Sequence, residues 1–223
     1  MILLAIDTST TLTGLALYDA TGPRAECAWA SGRNHTAQLL PQLDLLLRHL
    51  GAERGDLHAV AVALGPGSWS GLRVGLSVAK GLALAAGMPI FGISTLDALA
   101  YQHGLPDMPV FPLIRLGRER FAVAEFRPDG LGPGRCGPDR NVGLAELCAE
   151  IVGPARFCGD LDAEVRAQLH DSLGALAHLP SPAANLRRPS FLAELAWQRL
   201  AAGTPDDLTT LEPIYLGEAV KPK

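Results

Sequence analysis

Apolar and polar positions at the start of the chain alternate in a way that predicts a β-hairpin followed by an amphipathic helix. The continuous apolar run at 2–6 is typical of a buried strand, and a polar turn separates it from a second apolar run at 14–18. A third strand is predicted at 25–30. Leucines then recur at helical spacing over 35–50, which predicts a helix with one apolar face and a kink near Pro41.

The next part of the pattern is typical of a βαβ unit. An apolar run at 58–64 predicts a strand, and this strand ends at the glycine-rich loop 65–71. A helix is predicted at 72–86 and a further strand at 89–93, so the crossover between the two strands should be right-handed. A short helix at 95–101 closes this half of the chain.

The second half of the chain has a weaker pattern. Turn residues concentrate at 104–109, so we divide the chain into an N-terminal lobe, 1–103, and a smaller C-terminal lobe, 104–223. The predicted elements are strands at 110–114, 121–126 and 213–216, a Gly/Pro-rich loop at 127–138, helices at 144–152, 163–169 and 190–202, and a frayed tail at 221–223. For the helix at 190–202 we also consider packing back on the first lobe.

Composition and charge argue against several classes of protein. The 223 residues contain 19 Lys and Arg against 23 Asp and Glu, and the net charge of −4 argues against a chain that grips nucleic acid by itself. An apolar fraction of 48% excludes a disordered protein. We expect neither an export signal nor a membrane span, because Asp7 interrupts the first apolar run and the stretch 71–88 carries Arg73 and Lys80. A cytoplasmic protein is the simplest expectation.

Two loops could carry chemistry, and each has a plainer structural explanation. Asp7, Thr8 and Ser9 follow the first strand, where nucleotide-binding sheets place metal- and phosphate-binding groups, but they could equally cap a tight turn. The loop 65–71 matches neither a Walker loop nor the dinucleotide fingerprint. Its amides open a helix, which favours an anion, while its glycines also permit a tight strand-to-helix turn. Both explanations fit.

The helix after this loop carries two rows of small residues. They are Gly71, Gly75, Ala79 and Ala83 in one row and Ser77, Gly81 and Ala85 in the other. Each glycine inside a helix costs about 1 kcal/mol relative to alanine, so close packing should offset the cost. One row is explained by packing on the chain's own sheet. The second row leaves a face for a helix of another chain.

Metal and nucleophile chemistry are poorly supported by the sequence. The six histidines form no HxxxH or HExxH pair, and the four cysteines form no CxxC pair. The nearest match to a nucleophile elbow places Trp69 where the nucleophile belongs. The charged cluster Arg115, Arg118, Glu119 and Arg120 is typical of a solvated turn, with an anion site as the less favoured alternative.

Several segments together resemble the TsaB (YeaZ) family. They read LLAIDTS at 3–9, NHT at 34–36, GPGSWSGLRVG at 65–75, AKGLA at 79–83, GISTL at 92–96 and EPIYL at 212–216. The resemblance is dense over 2–100 and sparse over 104–205. It implies the actin-like (ASKHA, ribonuclease H-like) fold, an α/β fold of two lobes.

The same resemblance implies a subunit of the bacterial machinery that forms N6-threonylcarbamoyladenosine at position 37 of tRNAs that read ANN codons. It implies a heterodimer with the catalytic paralogue TsaD, an assembly joined by the ATPase TsaE, a homodimer when the chain is alone, and only indirect contact with tRNA. The paralogue carries metal-binding histidines where this chain has Ser94, Thr95 and Leu96. Hydroxyls and one carboxylate cannot replace two histidine ligands. We therefore expect a non-catalytic subunit with no metal and no cofactor, weak nucleotide binding being left open.

On this interpretation two helices, 36–50 and 72–86, form the partner interface. The residues assigned to it are Leu40, Leu43, Leu47, Gly71, Gly75, Val78, Ala79 and Leu82. A vestigial nucleotide site would use Asp7, Thr8, Ser9, Gly65 and Gly67. The alternative is an ATP-binding phosphotransferase of the same fold, in which these loops cradle phosphates. A metalloprotease is excluded by the lack of a histidine motif.

Two departures from the family pattern lie in the second lobe. After the strand at 110–114 members of the family have Asp-Ala-Arg/Lys before Glu-Val-Tyr, whereas this chain has RLGRERF at 115–121. Gly217 stands where an arginine is common in the family. Any role tied to the family's acidic residue is therefore in doubt for this chain.

Overall fold

The computed structural model describes residues 1–32, 34–117, 119–130 and 132–216. The chain divides into two compact units, the first built from 1–98 and 187–214 and the second from 99–186 and the residues from 215 onward. The segment 187–214, which the sequence division leaves in the C-terminal lobe, thus belongs to the first unit. The predicted strand at 213–216 does not form, whereas the tail at 221–223 and Gly217 lie outside the described residues.

A five-stranded sheet forms the centre of the first unit. Its strand order is β3-β2-β1-β4-β5, with β1 to β3 antiparallel and with β4 and β5 parallel to β1. The strands are β1 (Ile2–Asp7), β2 (Leu12–Asp19), β3 (Gly22–Ala30), β4 (Leu57–Gly65) and β5 (Ile90–Ser94). The hairpin and the βαβ unit predicted from the apolar pattern are therefore present.

Helices cover both faces of this sheet. They are α1 (His35–His49) and α2 (Trp69–Ala86) on one face and, numbered in chain order, α6 (Pro189–Ala201) on the other. Leu4 and Ile6 of β1 join the core under α1 and α2, while Leu3 and Ala5 join the core under α6. Successive residues of a strand point to opposite faces, so an uninterrupted apolar run is what a doubly covered strand requires.

Two local features differ from the predicted helix bounds. The first helix is continuous through Pro41. The second begins at Trp69, three residues before its predicted start, because Ser68 caps it by accepting a hydrogen bond from the amide of Gly71. Gly87, with a positive φ of 63°, ends it. The last residues of the glycine-rich loop are therefore helical.

The second unit has its own sheet. Among the described residues it orders as β10-β7-β6-β11-β12, with β8 paired to β6 and to β9. The elements that lie in this unit are β6 (Val110–Arg115), β7 (Arg120–Val123), β8 (Phe126–Pro128), β9 (Pro133–Arg135), β10 (Arg140–Gly143), α4 (Leu144–Glu150), β11 (Ala155–Gly159), α5 (Ala163–Leu173) and β12 (Ala177–His178), and α3 (Thr95–His103) leads into them. The predicted strand at 121–126 is interrupted, and the predicted loop at 127–138 contains β9. Strands of two to five residues are too short to show a two-residue period, so β9 to β12 were missed.

His103, the last residue of α3, is a buried titratable group of this unit. It is 5% exposed. Burial, helped by the nearby charge of Arg156, lowers its pKa from 6.5 to about 4. Near neutral pH the imidazole is therefore uncharged.

Acidification is expected to destabilise the protein through His103. As the pH falls below about 6.5 the unfolded chain binds the proton first, because the folded pKa is depressed, so the free energy of unfolding falls by about 2 kcal/mol between pH 7 and pH 5. Urea denaturation at the two pH values measures this loss. His103→Gln should remove most of it, whereas His170→Gln, at a side chain 79% exposed, should not. An unchanged pH dependence in His103→Gln would show the assignment to be wrong.

Candidate functional site

Asp7, the last residue of β1, is buried and paired with Arg187 near the start of α6. The Nη2 atom of Arg187 lies 2.5 Å from Oδ2 of Asp7 and 2.7 Å from Oγ of Ser9. The other carboxylate oxygen of Asp7 accepts from the amide of Ser9 at 3.0 Å and from its hydroxyl at 2.6 Å. Asp7 is 9% and Arg187 8% exposed. Both oxygens of the carboxylate are thus satisfied, and its charge neutralised, inside the first unit.

The turn after Asp7 is seated on the glycine-rich loop and the first turns of α2. The amide of Ser68 donates to the carbonyl of Ser9 at 2.6 Å, and the hydroxyl of Thr8 donates to the carbonyl of Gly71 at 2.8 Å. A Cβ on Gly67 would lie closer than 3.0 Å to the carbonyl oxygen of Ser9. A Cβ on Gly71 would meet the carbonyl oxygen of Thr8 in the same way. These two glycines are therefore required by the close approach of the chain's own turn.

The residues assigned to a vestigial nucleotide site are brought together by the fold. Thr8 and Ser9 lie against Gly71 and Gly67, respectively. Gly65 has φ 107°, and a Cβ on it would lie closer than 3.0 Å to the carbonyl oxygen of Ile214. The side chains of Asp7 and Ser9 bond each other and Arg187, and the hydroxyl of Thr8 donates to the carbonyl of Gly71. Nucleotide binding here stays a prediction.

A second buried polar cluster lies at the start of α1. Nδ1 of His35 is 2.6 Å from the hydroxyl of Thr13 and 3.0 Å from that of Ser31, and the two hydroxyls are 2.7 Å apart. Burial lowers the pKa of His35, while the charge of Asp7 acts in the opposite direction. The cluster joins the first residue of α1 to β2 and to the end of β3, which gives a structural reason for the segment at 34–36.

Most of the residues assigned to the partner interface are packed inside the first unit. Leu43, Leu47 and Ala79 are at most 2% exposed, and Gly71 and Gly75 are buried as well. A Cβ on Gly75 would meet the hydroxyl of Thr8. Their part in an interface stays a prediction, and in the structure these residues contact the chain's own sheet and turn.

The other three assigned residues lie at the edge of the same core. Leu40, Val78 and Leu82 are half-buried and pack against the apolar cluster under α1 and α2. Part of each side chain is therefore still open to contact from outside the unit.

We define the outer face of α2 as six of its exposed residues, Ser70, Arg73, Ser77, Gly81, Leu84 and Ala85. Leu84 is 74% exposed, and Trp69 beside this face is 61% exposed. A Cβ on Gly81 would meet no described atom within 4 Å. The guanidinium of Arg73 lies 4.4 Å from the ring centre of Trp69. The first row of small residues thus faces the protein interior, and the second faces outward.

The end of β5, where the catalytic paralogue is expected to carry histidines, holds hydroxyl groups. Ser94 ends the strand and Thr95 begins α3, with Thr95 fully buried. Over the residues that the structure describes, no group of three His, Cys, Asp or Glu side chains is placed to hold a metal ion.

Sequence comparison extends over nearly the whole chain. The tRNA threonylcarbamoyladenosine biosynthesis protein TsaB of Bacillus subtilis is 33% identical over 221 residues, which cover 97% of this chain and 94% of that protein. The chain belongs to the TsaB family. The resemblance drawn from short segments of the sequence is thereby confirmed.

Part of the chain also matches the model of a transferase family. A family model described as TsaD, tRNA N6-adenosine threonylcarbamoyltransferase, matches residues 29–131. This range includes α1, α2 and the end of β5. Both α1 and α2, the helix that carries the outer face, therefore lie in the part that this chain shares with the transferase.

Solved structures establish the fold of this TsaB chain. YeaZ from Pseudomonas aeruginosa superposes with a TM-score of 0.80 at 22% identity, covering 96% of this chain and 99% of that one. The ethanolamine utilization protein EutJ from Carboxydothermus hydrogenoformans, an actin-like protein, gives 0.55 at 14% identity, covering 86% and 89%. At these identities the comparison shows the fold alone. The predicted actin-like α/β fold is confirmed.

Arginines of the segment that departs from the TsaB family pattern form ion pairs with other parts of the second unit. Arg115 pairs with Asp162 at 2.6 Å and stacks on Phe121 at 4.9 Å. Arg120 lies 3.6 Å from Glu146. These contacts fit the solvated turn that the charged cluster predicts. Arg118 of this cluster and Gly217, the second departure from the family pattern, lie outside the described residues.

Sequence reasoning missed Arg187, which has no local motif and lies 180 residues from Asp7. A buried charge needs a partner of opposite sign, so the position of Asp7 at the end of a buried strand was the one sequence signal for a cation nearby. His35 lies within the family segment at 34–36, but the spacing of residues along the chain does not indicate its hydroxyl partners, Thr13 and Ser31.

No helix among the described residues combines the length and apolarity needed to cross a membrane.

Proposed function

We propose that this chain is a non-catalytic subunit in the formation of N6-threonylcarbamoyladenosine at position 37 of tRNAs that read ANN codons, and that it binds and supports TsaD. Membership of the TsaB family and the TsaD match at 29–131 support a place beside the transferase. The hydroxyl groups of Ser94 and Thr95 at the end of β5 support the non-catalytic role, because they cannot replace histidine ligands of a transition metal.

The observation that carries the partner role is the outer face of α2. Gly81 costs the helix about 1 kcal/mol relative to alanine. The described residues hold no contact that requires a glycine there, unlike at Gly71. A partner helix that approaches the backbone at Gly81 would offset this cost, with exposed Leu84 and the half-buried Leu40, Val78 and Leu82 around it.

The remaining expectations about partners rest on membership of the TsaB family. TsaD occupies the face in the heterodimer, a second copy occupies it when the chain is alone, and TsaE joins the assembly. Contact with tRNA is indirect, in keeping with the net charge of −4. The compartment is the cytoplasm, where tRNA is modified.

Gly81→Leu is expected to weaken binding to TsaD at least tenfold, because its side chain would fill the space that the partner backbone needs. Calorimetric titration of the purified chain with TsaD of the same organism measures the affinity. Gly55→Leu is the matched control, because Gly55 lies outside α2 and a Cβ on it also meets no described atom within 4 Å. If Gly81→Leu and Gly55→Leu bind TsaD with equal affinity and unfold at the same temperature as the unmodified chain, the assignment of the interface to the outer face is wrong.

A functional assay tests the subunit role itself. Threonylcarbamoyl transfer by TsaD is expected to require this chain and to fall with Gly81→Leu but not with Gly55→Leu. Turnover of Mg-ATP by the chain alone, abolished by Asp7→Ala, would instead support the phosphotransferase alternative.

A further inference from the structure

The outer face of α2 carries an arginine, Arg73, for which the described residues provide no counter-ion. Arg73 makes no ion pair with any described residue, whereas most arginines of the described chain do, as Arg187 does with Asp7 and Arg188 with Glu26. Its guanidinium lies over the ring of Trp69, 4.4 Å from the centre. We propose that Arg73, held on Trp69, is the anchor by which this face recognises a carboxylate on the partner protein. The inference rests on the proposed function, in which the face binds TsaD.

The charge of the helix indicates the chemistry of the partner. Between Trp69 and Ala86 the sequence has two cations, Arg73 and Lys80, and no carboxylate, although the chain as a whole is acidic. On neighbouring α1 the carboxylate of Asp44 is already paired with Arg54, at 2.7 Å. A complementary surface therefore presents acidic side chains opposite α2.

The stacking on Trp69 makes Arg73 suited to an anchoring role. A cation over an aromatic face loses part of its freedom before binding, so less entropy is lost when a carboxylate is met. The planar guanidinium can grip a carboxylate with two parallel hydrogen bonds, which an ammonium group cannot. Tryptophan and arginine are also the residues most often found at the energetic centres of protein interfaces.

A protein carboxylate is favoured over an RNA phosphate as the group that Arg73 recognises. The same face carries exposed Leu84 and the small residues Ser77, Gly81 and Ala85, which suit an apolar helix contact. Two cations on an acidic chain are few for phosphate binding, which relies on clustered charge.

The test compares three variants of the full chain with purified TsaD by biolayer interferometry at low and high salt. Arg73→Glu is expected to weaken binding at least thirtyfold, with a slower association rate at low salt. Arg73→Lys should lose less, because it keeps the charge but not the paired hydrogen bonds. Arg24→Glu is the control, an equal charge change on β3 at a side chain 47% exposed. Both substituted positions, Arg73 and Arg24, are exposed, so thermal unfolding should change little.

Each result decides the proposal. Equal binding by Arg73→Glu and Arg24→Glu would overturn the anchor, and if Gly81→Leu still weakens binding, the interface itself stands. If neither Arg73→Glu nor Gly81→Leu weakens binding, the interface of the proposed function is wrong as well. Loss of tRNA retention in a gel shift by Arg73→Glu, with TsaD affinity unchanged, would identify a phosphate as the target and would also overturn it.

Discussion

Arg187→Ala is expected to lower the free energy of unfolding by about 3–5 kcal/mol, the usual effect of removing one partner of a buried ion pair. The variant leaves the carboxylate of Asp7 in a site where it is 9% exposed, with no cation to balance its charge. It also removes a donor to the hydroxyl of Ser9. Urea denaturation of the purified chain at neutral pH measures the loss.

The neighbouring arginine provides the control for this prediction. Arg188 pairs with Glu26 at 2.7 Å, but its side chain is 51% exposed, so Arg188→Ala should cost under about 1 kcal/mol. Replacing both partners, Asp7→Asn with Arg187→Met, should recover much of the loss, because no buried charge then remains. Equal losses in the two single alanine variants would contradict a buried, structural ion pair.

Gly71→Ala is expected to cost about 3 kcal/mol, which is at the upper end for overpacking. Its new methyl group would lie closer than 3.0 Å to the carbonyl oxygen of Thr8, a backbone atom that cannot move aside alone. Moving the turn would also strain the bond from the Thr8 hydroxyl to the carbonyl of Gly71. Thermal and urea unfolding of the variant measure the cost.

The same change at Gly81 should act in the opposite direction. Gly81→Ala adds a methyl group where no described atom lies within 4 Å, so the better helix propensity of alanine should stabilise the monomer by up to about 1 kcal/mol. The pair of variants changes the same residue type in the same helix. Similar effects at the two positions would show that packing against Thr8 does not explain Gly71.

This contrast changes how the small residues of α2 are interpreted. The row at Gly71 and Gly75 seats the turn after β1, and the outward row at Gly81 is the one that we propose for a partner. A bulky residue at Gly75 would therefore disturb the monomer itself and could not report on association. Gly81 is the position at which folding and binding can be separated.

The first hundred residues could be predicted well because their signals are local. The apolar run at 2–6 is followed by a polar turn, and the segments that form α1 and α2 show a helical spacing of apolar and small residues. The segment GPGSWSGLRVG at 65–75 is long enough to carry family information, and the whole-chain match with TsaB of Bacillus subtilis confirms it. Family, fold class and the order of the early elements were thus determined by the sequence alone.

Tertiary structure decided which contacts these elements make. Arg187 lies next to α6, far along the chain from Asp7, and residues so distant leave no common pattern. The placement of 187–214 in the first unit and the pairing of the short strands β10 to β12 depend on such distant contacts, whereas β9 pairs locally with β8.

The rotation of α2 about its axis was decided in the same way. Both small-residue rows are equally apolar in sequence, and only packing on the sheet shows that Gly71 faces Thr8 while Gly81 faces outward. The sequence by itself therefore determined the family and the fold, because local patterns encode them. The assignment of interior and surface among similar residues was decided only when distant segments packed together.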